Sequence, residues 1–515
     1  MHRFLLSLIL LAAAWPAAAQ PLVESDRIDA TSVTLYRDPG RGEGAIPARG
    51  WPGGYALVTE TRTITLPAGA SVIRFVGVSE GMMPETAIVT GLPRQVGEKN
   101  RDARLLSPAA LIDAYLKRRV YIRRTSRATG KVTEGEAIIQ SGPGGGVLLT
   151  TADGVDALGC SGLPETLTYP GVPADLSAKP TLSVSTNSAT ATTVTVQLSY
   201  LAQGFDWSAN YVANVAEDGE SLELFAWLTV ANGGSQGFAG ARTSAVAGAP
   251  NKEAAARLPS GPAAELYLQC WPMDNTSTHP RWGIESEPTP MPAPMMAMAS
   301  EDIVVTGQRA SLERARTASP VAGMVAQQEE LGDLKLYRIP EPVTVAAQSR
   351  KQVAMLMRDK VKFARVYTGE FNQFAVPESA PSTRVLRMEN REAGGLGLPL
   401  PAGGVAVFER AGEQSLLVGE SELADRAIGE EVEFETGESS DVRYTIISRA
   451  RAGNRQPFEI QVSNARSTPE TFEMPIPYKL TGGPKLIERK GVKIWRVTVP
   501  ANGKAVIKFA LKLEL

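Results

Sequence analysis

Apolar and polar residues alternate over many short stretches of this chain, and a period of two predicts strands whose two faces differ in polarity. Residues 33–37 read this way, as do 56–66, where Ile64 and Leu66 share a face, and 72–76. Pro67, Ala68 and Gly69 supply the turn between the last two. One helix start stands out: Ser107 is a suitable N-cap, Pro108 sits at the first helical position, and 109–116 continues it. Strands are expected again at 119–123 and 147–149. The stretch 192–201 is rich in β-branched residues, among them Thr193, Val194, Thr195 and Val196. Asp218-Gly219 predicts a hairpin joining 211–216 to 222–230. Further strands are expected at 334–339, 343–345 and 351–357, where Pro340 and Pro342 cannot donate to a ladder and so mark an edge or a strand start. At the end of the chain 492–499 meets a turn at Ala501, Asn502 and Gly503. Ile507, Phe509, Leu511, Leu513 and Leu515 then alternate with Lys508, Lys512 and Glu514, and the pattern predicts a closing hairpin. The expected fold is all-β, a multi-module β-sandwich with one short helix.

The alternation breaks at 287–318. Pro288, Pro290, Pro292 and Pro294 interleave there with Met291, Met295, Met296 and Met298, and polar residues follow. Such a stretch has too little apolar surface to build a core and reads as a linker. Inside it Ile303, Val304, Val305 and Thr306, closed by Gly307, form a short β-prone peptide, the candidate for partner binding. The expected organisation is a leader at 1–19, an N-terminal β-rich module at 20–175, the first part of a main β domain at 176–286, the linker at 287–330 and a C-terminal β-sandwich part at 331–515.

Composition fixes the class. The chain has 515 residues, 43% hydrophobic and 21% charged, a globular balance too long for one domain. A net charge of -2 gives no electrostatic case for nucleic acid. Arg3, the apolar run 4–14 and the small residues Ala17, Ala18 and Ala19 have the form of a cleaved secretory signal, which places the mature chain in a periplasm or outside the cell. That run is short for a bilayer and no later one reaches about 18 residues, so no transmembrane span is expected in the mature chain. Cys160 and Cys270, the 2 cysteines, are expected to pair in such an oxidising compartment. Their bridge would close a long loop and contribute about 4 kcal/mol. Two unpaired buried thiols are the alternative.

Chemistry is sparse. Of the 2 histidines, His2 would leave with the signal, so His279, in a polar loop, is the only imidazole for a Ser-His-Asp machine, and a multi-histidine metal site is excluded within one chain. Gly77-Val78-Ser79-Glu80-Gly81 matches G-x-S-x-G, but Pro84 opposes the helix a nucleophile elbow requires. The glycines at 142–146 lack the Lys-Ser/Thr ending of a phosphate loop. Glu431, Glu433 and Glu435 alternate with Val432 and Phe434 and read as a solvated strand face. Lys117, Arg118, Arg119, Arg123, Arg124, Arg127 and Lys131 read as a charged strand face, and Trp207 and Tyr211 as sandwich core. No catalytic residue, cofactor or metal is expected. The expected function is binding or assembly. A hydrolase of envelope material using carboxylates such as Glu80 or Asp206, or a purely structural scaffold, are the alternatives.

Two resemblances sharpen this. Thr34-Leu35-Tyr36 with Leu66-Pro67-Ala68-Gly69-Ala70 resembles the N-terminal module of bacterial exported proteins of domain-of-unknown-function (DUF) family 4139. Ser199-Tyr200, Phe205-Asp206-Trp207, Ala209-Asn210-Tyr211 and Ala231-Asn232-Gly233 resemble that family's main domain, as do Tyr337-Arg338-Ile339-Pro340 and Leu398-Pro399-Leu400-Pro401 farther on. Where the family continues to an Asp-Trp pair, Gly237-Phe238 stands here. The resemblance implies an exported β-rich protein with the linker set between two halves of the main domain, and it carries no catalytic residue. Residues 301–309 are similar to the segment near the TonB box of TonB-dependent outer-membrane receptors. That similarity implies a protein partner in the cell envelope, with TonB itself the candidate, held by strand addition.

Overall fold

The computed structural model describes residues 20–250 and 326–512, apart from 43, 95, 103, 104, 143–145, 160–162, 174, 175, 249, 333, 413 and 484. The fold is all-β, with strands grouped into several sheets that pack as sandwich-like modules and one α-helix among the described residues. Cys160, Cys270, His279 and the peptide Ile303, Val304, Val305, Thr306 and Gly307 lie outside the described residues.

Two compact units divide the chain. The first holds Val58–Ala202 together with the described residues before Ser32. Its four-stranded sheet runs Leu22–Ser25, Gly69–Val76, Thr181–Ser188, Lys99–Asp102 in spatial order. A second, antiparallel sheet of five strands packs on the helix Pro108–Ala114 through Ile112, Tyr115, Val120, Ile122 and Leu149. The helix starts as its sequence dictates: the Ser107 hydroxyl accepts from the Ala110 N–H at 3.1 Å, with Pro108 next in line. The basic cluster is spread over this unit's sheet, where Arg119 and Arg123 face Glu136 and Glu134, and Arg124 reaches Asp156 and Glu165.

Deep in the same unit, Glu60 and Arg62 are both fully buried, two residues apart on one face of the strand Tyr55–Leu66. Arg62 donates Nε and Nη2 to Glu60 at 3.0 and 2.5 Å, and Nη1 to the carbonyls of Ser25 and Val76. The Tyr200 hydroxyl donates to Glu60 at 2.8 Å and accepts the Ser79 N–H at 3.0 Å. One buried guanidinium thereby ties three strand segments together. Ser79, the central residue of G-x-S-x-G, is buried and followed by the 3-10 turn Pro84–Thr86, so no nucleophile elbow forms.

The second unit takes the described residues of Ser32–Leu57, Gln203–Asn251 and Pro320–Leu515. One of its sheets runs Ser349–Lys362, Ser221–Asn232, Phe205–Val215, Gly403–Ala411, Gln414–Leu423 in spatial order. Its centre is the predicted hairpin, with Val215 opposite Leu222 across the Asp218-Gly219 turn. The Asp218 carboxylate accepts from Glu220 N, Ser221 N and Ser221 Oγ, and Gly219 has φ +64°. Trp207 and Tyr211 are core, as expected.

A nine-stranded sheet closes the unit and corrects two expectations. Val492–Val499 and Lys504–Lys512 are both strands, but they form no hairpin: they stand eighth and second in the sheet order and pair with Glu470–Pro475 and Arg455–Asn464 respectively. Their apolar faces meet instead across the sandwich core, where Trp495 and Val499 lie in one cluster with Ile507, Phe509 and Leu511. The short link is an arch tied down by Asn464, whose Nδ2 donates to the carbonyls of Thr468, Val499 and Pro500. The second correction concerns the glutamates. Glu435 is exposed, but Glu433 and Glu431 join a charge network. Arg387 donates to Glu433 at 2.6 Å and to both oxygens of the buried Glu473 at 2.9 and 2.8 Å, while Arg489 reaches Glu473 and Glu433 from the far side.

Candidate functional site

The long connection 37–54 between the strands Ala30–Tyr36 and Tyr55–Leu66 is anchored along its length. At its root Tyr36 and Tyr55 stack with ring centroids 4.7 Å apart. Arg37 donates both terminal nitrogens to Asp425 and lies 5.3 Å from the centre of the Trp207 ring. The Asp38 N–H and Arg41 Nη1 both donate to Asp206, the latter at 2.6 Å, and Arg41 Nη2 donates to the Trp207 carbonyl. Burial pushes the Asp206 carboxyl above its ordinary value against the pull of Arg41, and burial lowers Arg41 in turn. Farther along, Ile46 is buried, and Arg350 donates to the carbonyls of Ile46 and Pro47.

This anchored connection presents Trp51. A Cβ on Gly204 would fall 2.3 to 2.8 Å from Cζ2, Cε2 and Nε1 of Trp51, and one on Gly233 would fall 2.5 Å from Pro52 Cδ and 3.3 Å from Trp51 Cε3. The indole therefore rests on two glycines that are hydrogen-bonded to each other, Gly233 N to Gly204 O, at the open end of the central hairpin. No other residue type leaves room there, and Gly204 also has φ +86°. The rest of the Trp51 side chain, 54% exposed, faces solvent.

Around it opens a cleft of about 350 Å³ lined by Ala48, Trp51, Asn232, Gln348, Ser349 and Arg350, among others. Asn232, 2% exposed, spends its carboxamide on structure: Nδ2 donates to Gln236 O and Ala346 O, and Oδ1 accepts from Gly234 N. The turn it holds carries Gln348 at φ +46°, a conformation L side chains rarely adopt. The Gln348 N–H donates to Gly234 O, while its exposed carboxamide has no partner among the described residues. Arg350 is exposed and pairs with no carboxylate among them. One flat apolar face, the uncommitted Gln348 carboxamide and the Arg350 guanidinium, which has no carboxylate partner among the described residues, converge in one small concavity.

The carboxylates named from sequence are not brought into this cleft. Asp206 is buried beneath Arg41, and Glu80 belongs to the first unit, where its carbonyl accepts from Arg101. Among the described residues no group of His, Cys, Asp and Glu could hold a metal ion, and no helix is long and apolar enough to cross a membrane. Trp51, Gln348 and Arg350 escape sequence reasoning because two segments some 300 residues apart supply them. The one local signal is Gly50-Trp51-Pro52-Gly53-Gly54, a large aromatic in a stretch otherwise all Gly and Pro. No family model matches the chain, and no curated protein matches it.

Proposed function

We propose that the chain is an exported binding protein of the cell envelope, related to DUF family 4139, that holds its ligand in the Trp51 cleft without transforming it. The observation that carries this reading is the indole seated on Gly204 and Gly233, with much of its side chain exposed beside the uncommitted Gln348 carboxamide and the exposed Arg350, whose guanidinium pairs with no carboxylate among the described residues. The signal-like pattern at 1–19 supports export. The carboxylates named for a hydrolase do not line this cleft: Asp206 is spent on Arg41 and two backbone N–H groups, and Glu80 belongs to the first unit. A thermal-shift assay tests the reading. The purified full-length chain is heated with the glycan and peptide fractions of an envelope extract. A rise in melting temperature with one fraction, lost in Trp51→Ala, is expected. No shift with any fraction sinks it.

A second reading rests on residues 301–309, whose TonB-box-like pattern favours docking of TonB by strand addition at Ile303, Val304, Val305 and Thr306. Titration with a TonB C-terminal domain checks it. Saturable binding abolished by Val304→Pro with Val305→Pro supports docking, and no binding at high micromolar concentration removes it.

A further inference from the structure

We infer that the ligand of the Trp51 cleft is a saccharide, bound with one pyranose ring stacked on the indole and its hydroxyls taken by Gln348 and Arg350. The inference rests on the cleft reading above and names its ligand class. Three features of the molecule carry it.

The first is what the cleft lacks. Strand addition needs a free strand edge. At the cleft, however, Asn232 already faces Phe205 on one side and Ser349 on the other, so the strand Ser221–Asn232 is paired on both flanks. An extended peptide finds no ladder to join there. A polyproline ligand needs a groove lined by several aromatic rings, and Trp51 is the one aromatic lining this cleft.

The second is what the cleft offers. An aromatic face is electron-rich and attracts the polarised C–H bonds of a sugar ring's less polar side. The same sugar presents hydroxyls around its edge, each able to donate and accept. Gln348 supplies a carbonyl oxygen and an NH2 group, and Arg350 supplies donors only. A single planar aromatic face rimmed by a carboxamide and a guanidinium matches that amphipathic shape. The volume of about 350 Å³ is at the small end of ligand sites, suited to a terminal sugar unit or a disaccharide.

The third is preorganisation. The indole is held by two glycines and followed by Pro52, and Gln348 is held at φ +46° by the Gly234 carbonyl and the Asn232 carboxamide. Backbone conformations this unfavourable persist where the surroundings over-determine them, as at ligand clamps. Rigid rings and turns lose little freedom on binding.

Titration of the full chain with chitobiose, cellobiose, maltose and digalacturonate, followed by calorimetry and by indole fluorescence, tests the inference. A Pro-rich decapeptide and a β-prone hexapeptide serve as comparison probes. Expected is saturable binding of at least one disaccharide, with a fluorescence change absent from Trp51→Phe, affinity at least tenfold weaker in Trp51→Ala, and a several-fold loss in Gln348→Ala. The Phe variant and matched melting curves guard against a folding defect. Binding of a peptide probe but of no disaccharide at millimolar concentration overturns the saccharide class while the cleft reading stands. Disaccharide binding unchanged in Trp51→Ala overturns the site. Binding of no probe, together with no shift from any envelope fraction, removes both.

Discussion

A buried ion pair and one turn residue show how this chain spends electrostatic and conformational free energy. Glu60 and Arg62 are fully buried opposite charges whose hydrogen bonds are taken up by each other, by Tyr200 and by two strand carbonyls. Such a pair adds little over an apolar isostere, but removing one member leaves a buried charge without its partner. Glu60→Leu should therefore cost about 3–5 kcal/mol in urea unfolding. Glu60→Leu with Arg62→Met should recover most of that loss, and a double variant as unstable as the single one would show the pair to be favourable in itself. At Gln348 the stored energy is in the backbone. A β-branched side chain tolerates φ +46° poorly, so Gln348→Ile should lose about 1–2 kcal/mol. Gln348→Gly should stay within about 1 kcal/mol of the parent, because relief of the strain is offset by greater freedom in the unfolded chain. Equal stability of the Ile and Gly variants would mean that the turn relaxes and holds no strain.

Among the elements, a buried asparagine recurs where strands end. Asn232 and Asn464 each close a strand, Asn390 follows one, and all three hydrogen-bond loop backbone on both sides of the carboxamide. Asn464→Ala would remove the amide donor from the carbonyls of Thr468, Val499 and Pro500, of which Pro500 keeps the Gly503 N–H. A loss of about 3 kcal/mol is expected, read as an earlier urea midpoint at unchanged slope. A loss under about 0.5 kcal/mol would mean that water replaces the amide. This arch also shows what the sequence carried. Alternation in 492–499 and 504–512 told which side chains face the core, and the Ser107-Pro108 cap told where the helix begins, because these are local properties of the chain. Pairing is not local. The same alternation suits a hairpin and an arch between two layers, and the choice fell to Asn464, some 40 residues upstream. The cleft was hidden for the same reason: Trp51, Gly204, Gly233 and Gln348 are ordinary loop residues until long-range pairing gathers them. Glu433 read as solvated because its partner Arg387 lies on a neighbouring strand that periodicity cannot identify.

At the scale of the whole molecule, acid should act on the two units in opposite directions. In the nine-stranded sheet burial alone would raise the Glu433 carboxyl, but the hydrogen bond and charge of Arg387, with Arg489 and Lys490 beyond it, together hold it below its ordinary value. The Glu459 carboxyl is likewise held low by the hydrogen bond from Arg449. A carboxyl whose pKa is lower folded than unfolded contributes stability above its unfolded pKa, about 4.3, and loses it as pH falls through the folded value. Glu60, in the first unit, has the reverse sign: burial raises its pKa against the pull of Arg62. Folding there is helped by protonation, and that help disappears as pH rises through the raised folded value. Lowering pH from 6 towards 3 should therefore weaken strands of the nine-stranded sheet, such as Glu431–Ser448, before Tyr55–Leu66. Hydrogen exchange of peptides from each strand, followed across that range, checks the order. Arg387→Met should flatten the acid response of Glu431–Ser448 and leave that of Tyr55–Leu66 unchanged. An unaltered slope in the variant would show that Glu433 owes nothing to Arg387, and loss of Tyr55–Leu66 first would reverse the sign assigned to Glu60.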